Sequence, residues 1–179
     1  AQWNLFGPGK KANLKCENIR DIKKGFLIAH INTSKLTPAL EARTIKQHLE
    51  SFDPMKIYFS KTDIDSLKSK LKGIFKNVDK GQCEKLFEIP DFYISKVEER
   101  VKFAKSKLNK NFKFDKTVRI VFDPDERGYA KNKAELQKLQ EKYIHFQISN
   151  RLITGKELKE SIDLVSKSYD RGIRKLKKY

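Results

Sequence analysis

The run from Thr154 to Tyr179 constrains this chain most. Leu158, Ile162, Val165, Tyr169, Ile173 and Leu176 recur there at intervals of three or four, which sets them on one face of a helix. Lys159, Lys167, Arg171, Arg174, Lys175, Lys177 and Lys178 fill the other faces. Thr154 and Glu157 have the capping-box spacing, in which each side chain satisfies a backbone N–H at a helix start. The helix is therefore expected to open at Thr154. A stripe this continuous has to be covered by other parts of the chain.

The preceding segments supply that cover. A helix is expected from Asn13 to about Ile31, with Cys16, Ile19, Ile22, Phe26 and Ala29 or His30 on one face. Thr37-Pro38 is a start signal, a capping residue followed by proline at the first helical position. The helix behind it turns Leu40, Ile45, Leu49 and Phe52 inward and stops at Asp53-Pro54. After the short apolar connector Met55–Phe59, Ser60 opens a third helix with Asp63 three residues on. Ile64, Leu67 and Leu71 form its inner face up to Gly73.

Beyond a turn over 77–81, Gln82 to Phe87 is helical, and Pro90 marks the first turn of a long helix carrying Tyr93, Val97, Val101, Ala104 and Leu108. Residues 110–131 break the pattern. Val118, Ile120 and Phe122 alternate as a short strand does, bounded by Asp123-Pro124-Asp125. From about Asn132 to Asn150 another helix turns Leu136, Leu139, Tyr143 and Phe146 inward. The sum is a mostly α fold of about six helices in an irregular bundle, with one short strand near 117–122. Gly7-Pro8-Gly9 makes residues 1–13 a flexible leader with Trp3, Leu5 and Phe6 as surface anchors. Residues 14–179 read as a single helical domain.

No apolar run approaches the ~18 residues of a membrane span. The formal charge of +17 suits nucleic acid, an anionic surface or an acidic partner. Lysine is spread along the whole chain, however, as on solvated helix faces. Phe103, Phe112, Phe114, Tyr169 and Tyr179 interleave with that charge, so a free-standing basic module binding nucleic acid or an anionic surface stands as the alternative reading. Cys16 and Cys83 are too far apart for a paired-cysteine zinc module. They permit one disulfide in an oxidising compartment, or stand as two independent buried thiols.

Nothing in the chain announces an active site. His30, His48 and His145 are scattered, with no metal-binding spacing. No glycine-rich phosphate loop and no G-x-S-x-G elbow occurs. Cys16 and Cys83 lack nearby histidines. The acid pairs Asp63 and Asp65, Glu98 and Glu99, and Asp123 and Asp125 sit beside lysine or proline, where solvated salt links are the default. Catalytic, cofactor and metal residues are expected to be absent.

Three stretches resemble the N-terminal helical domain of the C-terminal processing, or tail-specific, proteases. The first, Leu49 to Asp65, holds Asp53-Pro54, a connector ending in Phe59, and a helix opening with Asp63. The second, Ala130 to Leu136, has Asn132 and Glu135 in a Lys-Asn-x-x-Glu-Leu helix start. The third, Leu152 to Leu176, carries Thr154-Gly155-Lys156, then Tyr169, Arg171 and Arg174 on a helix. Together they run in register over roughly residues 15–179. Two departures stand out: Arg127-Gly128-Tyr129-Ala130 replaces a Trp and Pro, and Ile153 separates Leu152 from Thr154.

The resemblance implies a non-catalytic accessory domain of a periplasmic serine endopeptidase acting on protein C-termini. In that family a PDZ domain and a Ser–Lys peptidase core follow this region, and the chain stops before either. Its partners would be those two domains of the same parent chain, together with an adaptor protein. Its role would be to shape substrate access and dock partners. A periplasmic location favours the Cys16–Cys83 disulfide.

Overall fold

A computed structural model describes residues 14–29 and 36–178. The leader at 1–13, His30 and Tyr179 lie outside the described residues. Eight helices form among those described: α1 (Cys16–Ala29), α2 (Pro38–Phe52), α3 (Lys61–Leu71), α4 (Ile74–Asp79), α5 (Glu84–Lys107), α6 (Pro124–Arg127), α7 (Lys133–Ile153) and α8 (Leu158–Lys177).

The start signals act as the sequence suggests for α2 and α3. The Leu40 N–H donates to Thr37 Oγ1 at 3.2 Å, with Pro38 inside the first turn. Ser60 and Asp63 close a reciprocal capping box at the head of α3. The α4 helix is capped from another element. Gly73 precedes it with φ +77, and Glu41 of α2 accepts from the N–H groups of Gly73 and Phe75.

Pro90 lies inside α5, not at its start. The expected Gln82–Phe87 helix and the long helix are one rod, in which Pro90, the seventh residue, forfeits the bond that an N–H there would have made to the Leu86 carbonyl. At 24 residues, α5 is about 36 Å long and spans two apolar clusters. Its first half joins Ile45, Leu49, Phe59, Leu67, Leu71, Ile74 and Val78 through Ile89. Its second half joins Ile144, Ile148, Val165 and Tyr169 through Ala104 and Leu108. The contacts follow suit: α5 packs on α3, α7 and α8, α7 packs on α8, α2 on α3, and α1 on α4.

No strand forms among the described residues, so the short strand expected near 117–122 is corrected. The segment has no second strand to pair with. Instead the Arg119 guanidinium donates to the carbonyls of Lys116 and Thr117 at 3.2 and 3.1 Å. Ile120 packs against the Leu139–Tyr143 face of α7. Phe146, expected inward, is 38% exposed and meets Phe122 edge-on at 4.6 Å.

Candidate functional site

The deepest polar construction is built on Asp53, which has no exposed surface. As α2 ends there, the chain turns through Pro54, and the Lys56 N–H returns to the Asp53 carbonyl at 3.0 Å. The Asp53 carboxylate then accepts three backbone N–H groups. Ile57 reaches Oδ1, and Tyr58 and Phe59 reach Oδ2, each at 2.9 Å. One side chain thereby satisfies the connector that has no helix or ladder of its own. Phe59, fully buried, stacks on Phe92 at 5.7 Å.

Arg100, on α5, lies beside this connector and is 8% exposed. Its guanidinium faces three tyrosine rings, Tyr58 at 5.1 Å and Tyr143 and Tyr169 at 5.7 Å each. A buried cation is tolerable here because ring faces are negative and Asp53 lends an opposing charge. The rings come from the connector, α7 and α8, so one side chain joins four parts of the chain. Tyr169 is fixed by its hydroxyl, which donates to Gln147 Oε1 at 2.7 Å. Gln140, also buried, donates to the Ile57 carbonyl at 2.9 Å.

The three motif stretches therefore meet. The first reaches the second where the Lys61 N–H donates to the Ala130 carbonyl at 2.7 Å. It reaches the third through Tyr58, Arg100 and Tyr169. The departure at 127–130 is closely held: Arg127 donates to the carbonyls of Val121, at 2.9 Å, and Met55. Tyr129 packs on the first apolar cluster and receives Lys56 over its ring at 5.6 Å.

Burial sets the ionisation of this junction. It pushes the Asp53 carboxyl above its ordinary value, against the pull of the Phe59, Ile57 and Tyr58 N–H groups and of Arg100. It raises the phenols of Tyr93 and Tyr129 to about 12, with Tyr58 and Asp53 adding to the first and Asp53 and Glu50 to the second. Tyr169 is raised by burial too, partly offset by Arg100. The phenols stay neutral at physiological pH.

The remaining motif residues do local work. Asp63 Oδ1 takes Lys96 at 3.1 Å beyond its capping role. Asn132 caps α7 by accepting from the Glu135 N–H at 3.0 Å, and Glu135 reaches back to the Lys131 N–H at 3.1 Å. Thr154 does not open α8. It ends α7, with Gly155 at φ +82, the Gly155 N–H on the Leu152 carbonyl and the Lys156 N–H on that of Arg151. That pair of bonds is a helix stop built on a left-handed glycine. Glu157 precedes α8 without a side-chain cap, and Lys156 pairs with Glu160 at 2.7 Å. Arg171 and Arg174 point outward from α8.

The Cys16 and Cys83 sulfurs are bonded, with their Cα atoms 5.5 Å apart. That bond ties α1 to the head of α5, and Lys23 reinforces it by pairing with Asp79 at 2.5 Å. His48 sits edge-on to Phe52, while His145 Nδ1 accepts the Asp115 N–H at 3.2 Å. Among the described residues no group of three or more His, Cys, Asp or Glu could hold a metal, and no helix is long and apolar enough to cross a membrane.

The Ser60 hydroxyl is taken up by Asp63 and Thr62 at the head of α3. What the arrangement does chemically is hold helices at fixed angles. Residues 22–179 match the family model of the tail specific protease N-terminal domain. The chain belongs to that family. Curated proteins yield no match to it. In this tail-specific protease N-terminal domain, Arg100, Gln140 and Ser161 are the buried polar residues that motif reading missed. The signal for Arg100 was its place between Val97 and Ala104, three and four residues away on the inward stripe.

Proposed function

We propose that the chain is a non-catalytic helical platform of a periplasmic serine endopeptidase that processes or degrades proteins from their C-termini. Its family membership over residues 22–179 is the observation that carries this reading. Residues 14–179 act as a single domain that packs beside the PDZ and Ser–Lys peptidase domains of the same parent chain. It shapes the path of substrates to them and offers outer faces to an adaptor. The rigid junction at Arg100 suits that work, since a wall of a substrate path has to keep its geometry without taking part in the chemistry. No residue of the chain is assigned to catalysis.

The test is hydrolysis of an unfolded protein followed by gel and mass spectrometry. The purified 179-residue chain is expected to leave the substrate intact, and the parent protein is expected to shorten it from the C-terminus. Cleavage by the isolated chain would overturn the non-catalytic assignment. The alternative partner, a polyanion, is checked by titration at several salt concentrations. Weak binding is expected, because lysine is spread along the whole chain and not gathered into one patch. Tight binding with a log–log salt slope of several units would favour the nucleic-acid reading.

A further inference from the structure

Residues 118–122 carry a strand pattern without a strand. Val118 and Ile120 are half-buried, while Arg119 and Val121 beside them are exposed. The N–H groups of all five residues find no acceptor among the described residues. The Arg119 guanidinium reaches the carbonyls of Lys116, Thr117 and Val118, and Arg127 takes that of Val121. Ile120 and Phe122 keep both main-chain groups open. In an extended chain alternate residues present these groups on the same side, so the two open residues share one edge.

A groove of about 400 Å³ lies beside that segment, against α7. Phe114, Val118, Ile120, Phe146, Leu152 and Ile153 line it, and Ile153 is 80% exposed. Its polar side chains are mostly donors. Lys116 and Lys142 make no ion pair among the described residues. His145 accepts the Asp115 N–H at Nδ1, which leaves Nε2 to donate. The one acid, Asp115, is already held by the N–H and hydroxyl of Thr117 at 2.8 and 2.6 Å. From Lys142 to Ile153 the wall runs about 16 Å along α7, the span of roughly five residues of strand.

We propose that a partner protein supplies the missing strand. An extended peptide segment pairs with the Ile120–Phe122 edge and lays apolar side chains in the groove, with acidic ones turned to Lys116 and Lys142. A row of unpaired main-chain groups is a template for such addition. Main-chain bonds supply the affinity, and pockets for alternate side chains supply the specificity. The two lysines favour carboxylates and disfavour a basic segment. A fatty acid has one polar end and cannot use donors spaced along an edge, whereas a peptide can. This inference stands apart from the function proposed above, since it needs only the segment and α7.

The probe is a fluorescein-labelled octapeptide of alternating valine and glutamate, titrated into the 179-residue chain by anisotropy and followed by hydrogen exchange with mass spectrometry. The free chain is expected to exchange the 118–122 amides fast at every protein concentration, and the bound chain to protect them. Ile120→Pro removes one donor of the edge and is expected to weaken binding roughly tenfold. Val121→Pro, on the opposite edge, is expected to leave it unchanged. Ile153→Glu is expected to weaken binding with far-UV circular dichroism unaltered, which serves where proline disturbs the segment. An octapeptide of alternating valine and lysine is expected to bind far more weakly. Absence of binding by the wild-type chain would overturn the proposal, as would binding that neither Ile120→Pro nor Ile153→Glu reduces. So would equal protection by decanoate, which would give the groove to a lipid. Protection in the free chain that grows with concentration would give the edge to a second copy and overturn it too.

Discussion

Arg100 decides how the two apolar clusters meet, and its three ring contacts make a specific energetic claim. Arg100→Ala removes the packed stem along with the charge and is expected to cost roughly 3 kcal/mol. Arg100→Met, which refills the space without a buried cation, is expected to stay within about 1 kcal/mol of wild type. Urea midpoints distinguish the two; equal losses would mean that charge, not volume, holds the junction. Asp53→Asn keeps one acceptor oxygen, which can serve the N–H groups of Tyr58 and Phe59, but sets its NH₂ against the N–H of Ile57, which Oδ1 now satisfies. Stranding that buried donor is expected to cost roughly 1–3 kcal/mol, and an unchanged midpoint would show that the connector finds another acceptor. Asp53 was visible in the sequence as a motif residue, whereas Arg100 was not. On a chain with 40 Lys and Arg, one more cation at a stripe position reads as solvent-facing unless its register is weighed against its type.

Helix faces were legible where a long stripe repeats, as in α5 and α8, and less so in α7, where Phe146 is exposed and Ile144 and Ile148 are buried. Boundaries were legible where one cap has no competitor, as at Thr37 and Ser60. They failed where one short string serves two purposes. Thr154-Gly155-Lys156-Glu157 fits the start of α8 by spacing, yet a glycine after a helix is the cheapest residue to hold the left-handed turn that stops α7. Two substitutions separate the readings. Gly155→Ala forces a Cβ into φ +82 with no neighbour within 4 Å to clash, and is expected to cost about 1 kcal/mol from backbone strain alone. Thr154→Ala loses only the exposed bond to the Arg151 carbonyl and is expected to change stability by less than about 0.5 kcal/mol. The reverse order of effects would restore the capping box. The segment at 117–122 misled for another reason: alternation describes which side chains face α7, but a ladder needs a second strand.

For the molecule as a whole, the long-range covalent tie and the family assignment carry most weight. A bond closing a loop 67 residues apart in sequence stabilises by up to about 4 kcal/mol through the unfolded chain. Replacing both cysteines with alanine is expected to cost roughly 2–4 kcal/mol. Thiol-labelling mass spectrometry is expected to add no label before reduction and one at each cysteine after it. Labels at both without reductant would contradict the bridge. The topology that brings the first and third motif stretches to Arg100, and the second to the first at Lys61, was beyond the sequence alone, since nothing in their spacing says that they touch. The account's central claim, an accessory domain within a tail-specific protease, is tested most directly by reading the coding sequence past the Tyr179 codon. An open frame encoding a PDZ-like segment and a Ser–Lys peptidase is the predicted result. A stop codon at that point would contradict it.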